Sequence, residues 1–456
     1  VSLSLDRPPA AEAPVGATPA AFATVARRSG AVFAVQVAGA GLTYGLQVLL
    51  ARLLGASGYG IYAAAIVWVG FGALLAGLGL PAAALRFLPE YAAAGDSART
   101  RGFLRAATRG TLASAAAMAL LLVAAIFVLH RRGSISDPAD AVLAAVTVVP
   151  FAASILYSEL ARAAGRVVLA YAPTMIVRPA LIALGSTAVW IATGALSAPA
   201  TLAASLAAGV AAAGGQWLAC RRLYAAGISD GPALSELRTW AGVGISLLAA
   251  GAFTIVLMQV DVVIVGAVMG ARAAGVYSAA AKTAMLALFA IMAVNGAAAP
   301  QYSALWARRD RAGLQRLVRR MAHLTLWPSV AITAGLALLA GPLLALFGPG
   351  FQAGRAALLI LLAGQLVNAS CGSVGYLLTL TGHHREATWA LGASAVACVL
   401  LVLAGTEAWG IDGAALGTAV GSALWNLSLY LLVIRRLGFH PSLLSPRRRH
   451  DATDLA

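Results

Sequence analysis

The sequence predicts an all-α membrane protein of about twelve transmembrane helices, arranged as two parallel-repeat six-helix bundles around a central cavity. Three observations lead there: a scarcity of charge, the number and length of the apolar runs, and a repeat at an offset of about 215 residues. Of 456 residues, 61% are hydrophobic and only 11% charged, whereas soluble domains carry about 25% charged residues. About 20 apolar residues cross the hydrocarbon layer as a helix, and roughly a dozen such runs occur.

Taken in order, the spans fall near residues 30–51, 59–80, 109–129, 141–161, 168–193 and 199–220, then 241–268, 275–298, 322–347, 356–381, 386–406 and 411–434. Residues 1–26, rich in Ala and Pro, read as a disordered cytoplasmic tail with no signal-peptide core. Residues 27–224 form the first bundle, 225–240 a cytoplasmic linker, 241–438 the second bundle and 439–456 a polar tail. The turn from Gly55 to Gly60 is short, so the first two spans should be antiparallel neighbours.

The net charge of +16 follows topology and gives no reason to expect nucleic acid as a partner. Cations cluster between apolar runs: 25 arginines lie on the side of the two tails and five (Arg52, Arg131, Arg132, Arg272, Arg355) on the other. That bias places both termini in the cytoplasm. Segments 81–108 and 300–321 mix Arg with apolar residues. They read either as helices lying on the inner membrane surface or as solvated connecting helices.

The repeat is read at four places. Leu54 to Tyr62 matches Met269 to Tyr277; the Asp96 loop matches the Asp310 loop; Gly165 matches Gly382; Arg221-Arg222-Leu223 matches Arg435-Arg436-Leu437. Each half has an even number of spans, so both insert in the same sense, as in transporters built from parallel repeats.

Several motifs then carry a resemblance. They are Ala51-Arg52-Leu53-Leu54-Gly55 through Tyr59-Gly60-Ile61-Tyr62, Arg86-Phe87-Leu88-Pro89-Glu90-Tyr91 with Gly95-Asp96, Gln259-Val260-Asp261 to Gly266, Gly275-Val276-Tyr277 with Lys282, and Leu346-Phe347-Gly348 with Gly364-Gln365-Leu366-Val367-Asn368-Ala369. In this order the chain resembles, over residues 28–438, the polysaccharide-transporter (O-antigen flippase) family of the multidrug/oligosaccharidyl-lipid/polysaccharide exporter superfamily. The resemblance implies a flippase in the bacterial inner (cytoplasmic) membrane, moving undecaprenyl-pyrophosphate-linked oligosaccharide from inner to outer leaflet. Its partners would be that lipid-linked oligosaccharide, membrane lipids and a polysaccharide polymerase or export complex. Drug exporters of the superfamily often use an acidic residue in the first span, and residues 30–51 contain none.

Ionisable groups at bilayer depth usually face a cavity or a partner. Asp261 and Lys282 lie at similar depth below one turn, so an ion pair between spans seven and eight is expected, either structural or coupled to an ion. Arg178, between Pro173 and Pro179, stands where prolines can break a helix at midplane; it could grip a pyrophosphate or serve packing. Arg52 at the mouth of the cavity is a further candidate phosphate contact. Gln47, Gln365 and Asn368 are polar groups that could bind sugar hydroxyls or pin helices together. Glu159, Arg162 and Arg166 read as a solvated salt bridge, and His383-His384 as surface.

No phosphate loop, catalytic triad or zinc spacing stands out, so the expectation is a non-enzyme with no cofactor and no metal. The alternative function is a cation- or proton-coupled exporter of small amphiphilic molecules. A membrane glycan polymerase or ligase is disfavoured by the shortness of the outer connections.

Overall fold

The computed structural model describes residues 19–133, 138–225, 231–372, 374–381 and 384–438. Every regular element among them is helical, as the bilayer requires where no water is available to the backbone. The first half comprises α1 (Pro19–Ala76), α2 (Leu80–Ala93), α3 (Ser97–Arg131), α4 (Ala139–Ala163), α5 (Val167–Ala172), α6 (Arg178–Thr193) and α7 (Ala198–Ala225). The second comprises α8 (Leu237–Met269), α9 (Ala271–Ala284), α10 (Leu288–Ala307), α11 (Arg311–Leu338), α12 (Ala340–Ala345), α13 (Arg355–Cys371), α14 (Val374–Leu380) and α15 (His384–Leu437).

Nine helices among the described residues are long and apolar enough to cross a membrane, and two of these are hairpins. In α1 the chain reverses at Gly55 (φ 67°, ψ 176°). A straight helix would hold residues twelve apart at about 18 Å, yet Tyr59 donates to Gln47 at 2.9 Å. In α15 the break falls at Trp409–Gly410, and Arg436 returns to pair with Glu386 at 2.9 Å. The twelfth span is α9–α10, interrupted by a 3₁₀ turn at Met285–Ala287, with 14 residues in α9 and 20 in α10.

The repeat is visible in the backbone. Gly270, 215 residues after Gly55, has nearly the same dihedral angles (φ 85°, ψ 172°), and only glycine adopts that region easily. Asp96 and Asp310 cap α3 and α11 alike, accepting from Arg99 N at 2.9 Å and Gly313 N at 2.7 Å. Such caps satisfy otherwise orphaned amides.

Much of the two basic segments does not form separate helices. Residues 97–108 and 311–321 continue directly into spans three and nine as parts of α3 and α11. At 35 residues α3 is about 52 Å long, well beyond a hydrocarbon layer of about 30 Å, so its arginines stand clear on a helical extension. Only α2 is a separate short helix. Span nine ends earlier than expected, at Leu338, and the chain crosses by α12 and a 3₁₀ turn (Phe351–Gly354) before α13. Residues 1–18, 439–456, Gly382 and His383 lie outside the described residues, so the readings made on the two tails, the Gly165–Gly382 match and the histidine pair are not addressed.

Buried side chains show how the halves meet. On the side away from the tails, one core runs through both halves, from Leu46, Leu50 and Tyr59 to Val265, Tyr277, Phe347, Phe351 and Cys398. On the tail side the cores are separate, one among α2, α3, α4 and α7 and one among α10, α11, α14 and α15. The exception is Trp240 of α8, which is fully buried in the first half's core. Its ring meets Phe103 edge-on at 5.2 Å, and its Nε1 donates to Tyr91 at 2.9 Å. Arg99 pairs with Glu236 at 2.8 Å and Arg101 donates to the Pro232 carbonyl at 2.9 Å. The inter-half linker is thus docked on α2 and α3.

Candidate functional site

Arg178 begins α6, directly after a π-helical turn at Pro173–Val177. The regular α-helix is interrupted there by a wider π turn, and single π turns are frequent at functional positions. The guanidinium carbon lies 4.2 Å from the centroid of the Phe151 ring, a cation–π contact. Tyr62, which accepts from Ser205 Oγ at 3.4 Å, lies within its electrostatic reach. Among the described residues no carboxylate pairs with Arg178.

In the second half Asp261 is 3% exposed, and it does not form the expected ion pair with Lys282. Tyr277 Oη and Thr418 Oγ1 donate to its Oδ2 at 2.7 and 3.0 Å, and Val262 N donates to Oδ1 at 2.8 Å. The reason is helical phase. Tyr277 on α9 points at α8, and Lys282, five residues on, is rotated from it by about 140°. Lys282 remains within electrostatic reach of Asp261, yet no described carboxylate lies within ion-pair distance of it. It is half-buried. Each half therefore holds one cation inside its spans without a carboxylate against it.

Gln47 is the first-half counterpart of Asp261, and it too accepts from a tyrosine of the following span, Tyr59. Gln365 and Asn368 sit one turn apart on α13 and bond each other at 3.3 Å. Arg52 lies at the end away from the tails and donates from Nε to the Leu346 carbonyl at 2.5 Å, so it joins the two halves there. Glu159 receives both of its hydrogen bonds from Arg162 Nη1 at 2.8 Å, and Arg166 stays outside that pair. The structure thus gathers Asp261 with Tyr277 and Thr418 and leaves Arg178, Lys282 and Arg52 in three different surroundings.

The residues that sequence reasoning missed are largely hydroxyls and aromatics: Tyr44, whose Oη lies 3.1 Å from Thr283 Oγ1 across the two halves, Tyr62, Thr418, Phe151, Phe347 and Phe351. A tyrosine inside an apolar span was the one available signal, since its hydroxyl needs a partner there.

This architecture defines a multi-pass, all-helical membrane protein, and its fold is similar to those of solved transporters assigned to the multidrug/oligosaccharidyl-lipid/polysaccharide exporter superfamily. An inward-facing multidrug resistance transporter of that superfamily matches with a TM-score of 0.72 at 15% identity, over 89% of this chain and 98% of its own. An outward-facing one gives 0.64 at 15% identity over 90% and 94%. A superfamily transporter from Pyrococcus furiosus, described as having a binding pocket of reverse polarity, gives 0.66 at 15% identity over 90% and 95%. A comparison with functionally curated proteins finds no match. Within the superfamily fold, the chain belongs to the polysaccharide biosynthesis protein family, whose profile matches residues 25–306.

Proposed function

We propose that the chain is a flippase for lipid-linked oligosaccharide, carrying a polyprenyl-pyrophosphate-linked sugar unit across the cytoplasmic membrane by alternating access, with both termini cytoplasmic. The observation that carries this reading is the pair of intramembrane cations, Arg178 and Lys282, one in each half and neither against a carboxylate. An ionised side chain at bilayer depth costs about 2.5–3.5 kcal/mol on insertion scales, a cost that a passing pyrophosphate offsets through charge-assisted hydrogen bonds. Gln365 and Asn368 are proposed sugar contacts, and Gln47 a tie between spans one and two that stands near the path. The separate cores on the tail side mark where a large head group would enter, while the lipid tail stays in the bilayer. The test is deletion of the gene in its source organism. Lipid-linked oligosaccharide should accumulate on the cytoplasmic leaflet; undiminished export of the host's surface glycan would overturn the reading.

A second reading, an ion-coupled exporter of small amphiphiles, is favoured by one observation: Asp261 is a buried carboxylate surrounded by hydroxyl donors. It requires proton- or cation-driven efflux that Asp261→Asn abolishes.

A further inference from the structure

The connection between spans nine and ten breaks the symmetry of the repeat. Its first-half counterpart, between the end of α3 at Arg131 and the start of α4 at Ala139, is only seven residues long. In the second half, the stretch from Leu346 to Phe351, after α12, reaches across to the first half. Phe347 and Phe351 are fully buried and form one aromatic cluster with two tyrosines of the first hairpin. Tyr44 meets Phe347 edge-on at 5.6 Å, Tyr59 meets Phe351 at 6.1 Å, and the two phenylalanines lie 5.8 Å apart. Arg52 fastens the assembly through the Leu346 carbonyl. Outside the cluster is a cavity of about 560 Å³, lined by Arg52, Gly55, Ala345 and residues 347–352. A second arginine, Arg272, approaches Gly350 from the other side.

We infer that residues 339–354 are a removable plug closing the side away from the tails, and that Arg52 is its exchangeable latch. The guanidinium can hold the Leu346 carbonyl or an anion arriving at the exit. A neutral carbonyl is the weaker partner, since hydrogen bonds between ionised groups are about twice as strong. An anion that takes Arg52 frees the plug, and departure of the anion returns Arg52 to Leu346. A ligand shifts such an equilibrium only by its preference for one state, and here the preference is for the state in which Arg52 is free. The inference uses the proposed transport reading only to name phosphate as the anion; plug movement is measurable without it.

The experiment uses the full chain with Cys220, Cys371 and Cys398 replaced by alanine and Ser278→Cys as reporter. Ser278 is fully buried on α9, beside Tyr277. A membrane-impermeant maleimide is applied from the side away from the tails. Labelling should be slow with the plug intact and about tenfold or more faster after Phe347→Ala with Phe351→Ala, or after Arg52→Ala, since loss of one charge-assisted bond shifts a population by about that factor. Inorganic pyrophosphate on that side should speed labelling with Arg52 present and have no effect in Arg52→Ala. Ala195→Cys, at an exposed position outside the plug and on the same side, should label at one rate in every background, and a single elution peak in detergent shows that the variants are folded. Reporter labelling that ignores both Phe substitutions would overturn the plug. A pyrophosphate response that persists in Arg52→Ala would overturn the latch. If labelling behaves as expected while glycan export in the deletion strain is normal, the plug stands and the flippase reading alone falls.

Discussion

At Asp261 two hydroxyls stand where a cation was expected. Charge inside an apolar run is easy to see in a sequence, and Asp261, Lys282 and Arg178 were all legible for that reason. Their partners were not, because Thr418 lies 157 residues from Asp261 and no pattern in the chain tells that spans seven and twelve touch. The arrangement predicts that Tyr277→Phe destabilises the protein by about 1.5–3 kcal/mol, the value of a hydrogen bond to a charged group. Asp261→Asn keeps an amide oxygen for both hydroxyls and gives up only the acceptor for Val262 N, so it should cost less. Thermal unfolding in detergent orders the two; a larger loss for Asp261→Asn would mean that the charge itself, facing Lys282, dominates. For the two unpaired cations, Arg178→Ala and Lys282→Ala should each lower the flipping rate of a pyrophosphate-linked substrate in proteoliposomes by about tenfold or more, with melting temperatures little changed. Equal flipping by both variants would remove the site.

Helices were the most readable level. Apolar length located all twelve spans, and Gly55, Gly270, Asp96 and Asp310 were each named by the repeat before their shared dihedral angles and caps were known. What escaped were interruptions set by packing, the π turn before Arg178, the 3₁₀ turn at Met285–Ala287 and the division of span nine from α12, because each depends on the neighbour against which the helix lies. Several helix contacts rest on small residues, and one of them joins the two halves beside the Gly55 and Gly270 turns. A Cβ on Gly60 would lie 1.8 Å from the Ala271 carbonyl oxygen, and one on Gly275 would lie 2.0 Å from that of Ala56. Backbone cannot yield as a flexible side chain can, so Gly60→Ala or Gly275→Ala should cost at least the 1–3 kcal/mol typical of overpacking. A lowered melting temperature and a broadened elution profile would report it, while Gly41→Ala, with open space around it, should be silent.

The molecule as a whole is two bundles sharing a core on one side and parted on the other, yet α8 belongs to both. Its far portion packs in the second half, and its first turn is anchored to the first half through Trp240, Glu236 and Tyr91. Burial pushes the Tyr91 hydroxyl upward from its usual value, so it stays a neutral donor to Glu236 throughout the physiological range. Exposed ion pairs contribute only about 0.2–1 kcal/mol, so Glu236→Arg should alter stability little but loosen the docked linker. Limited proteolysis within 231–240 should accelerate in that variant and return to the original rate in Arg99→Glu with Glu236→Arg. Unchanged cleavage in the single variant would show that Trp240 holds the linker unaided.

Gly60 and Gly275 bring two backbones together about 7 Å from the Gly55 and Gly270 turns, so under the proposed transport reading the lobes, apart from the docked start of α8, would pivot near one rim. A seesaw balanced so far off centre swings widely at its long end and scarcely at the short one. A bulky polar cargo can therefore board where the arms are long, but the few ångströms gained at the short arm would not let it off. Under the inferred plug, departure would come from a piece that slides aside, and a movable span-nine connection suits that reading better than a symmetric hinge.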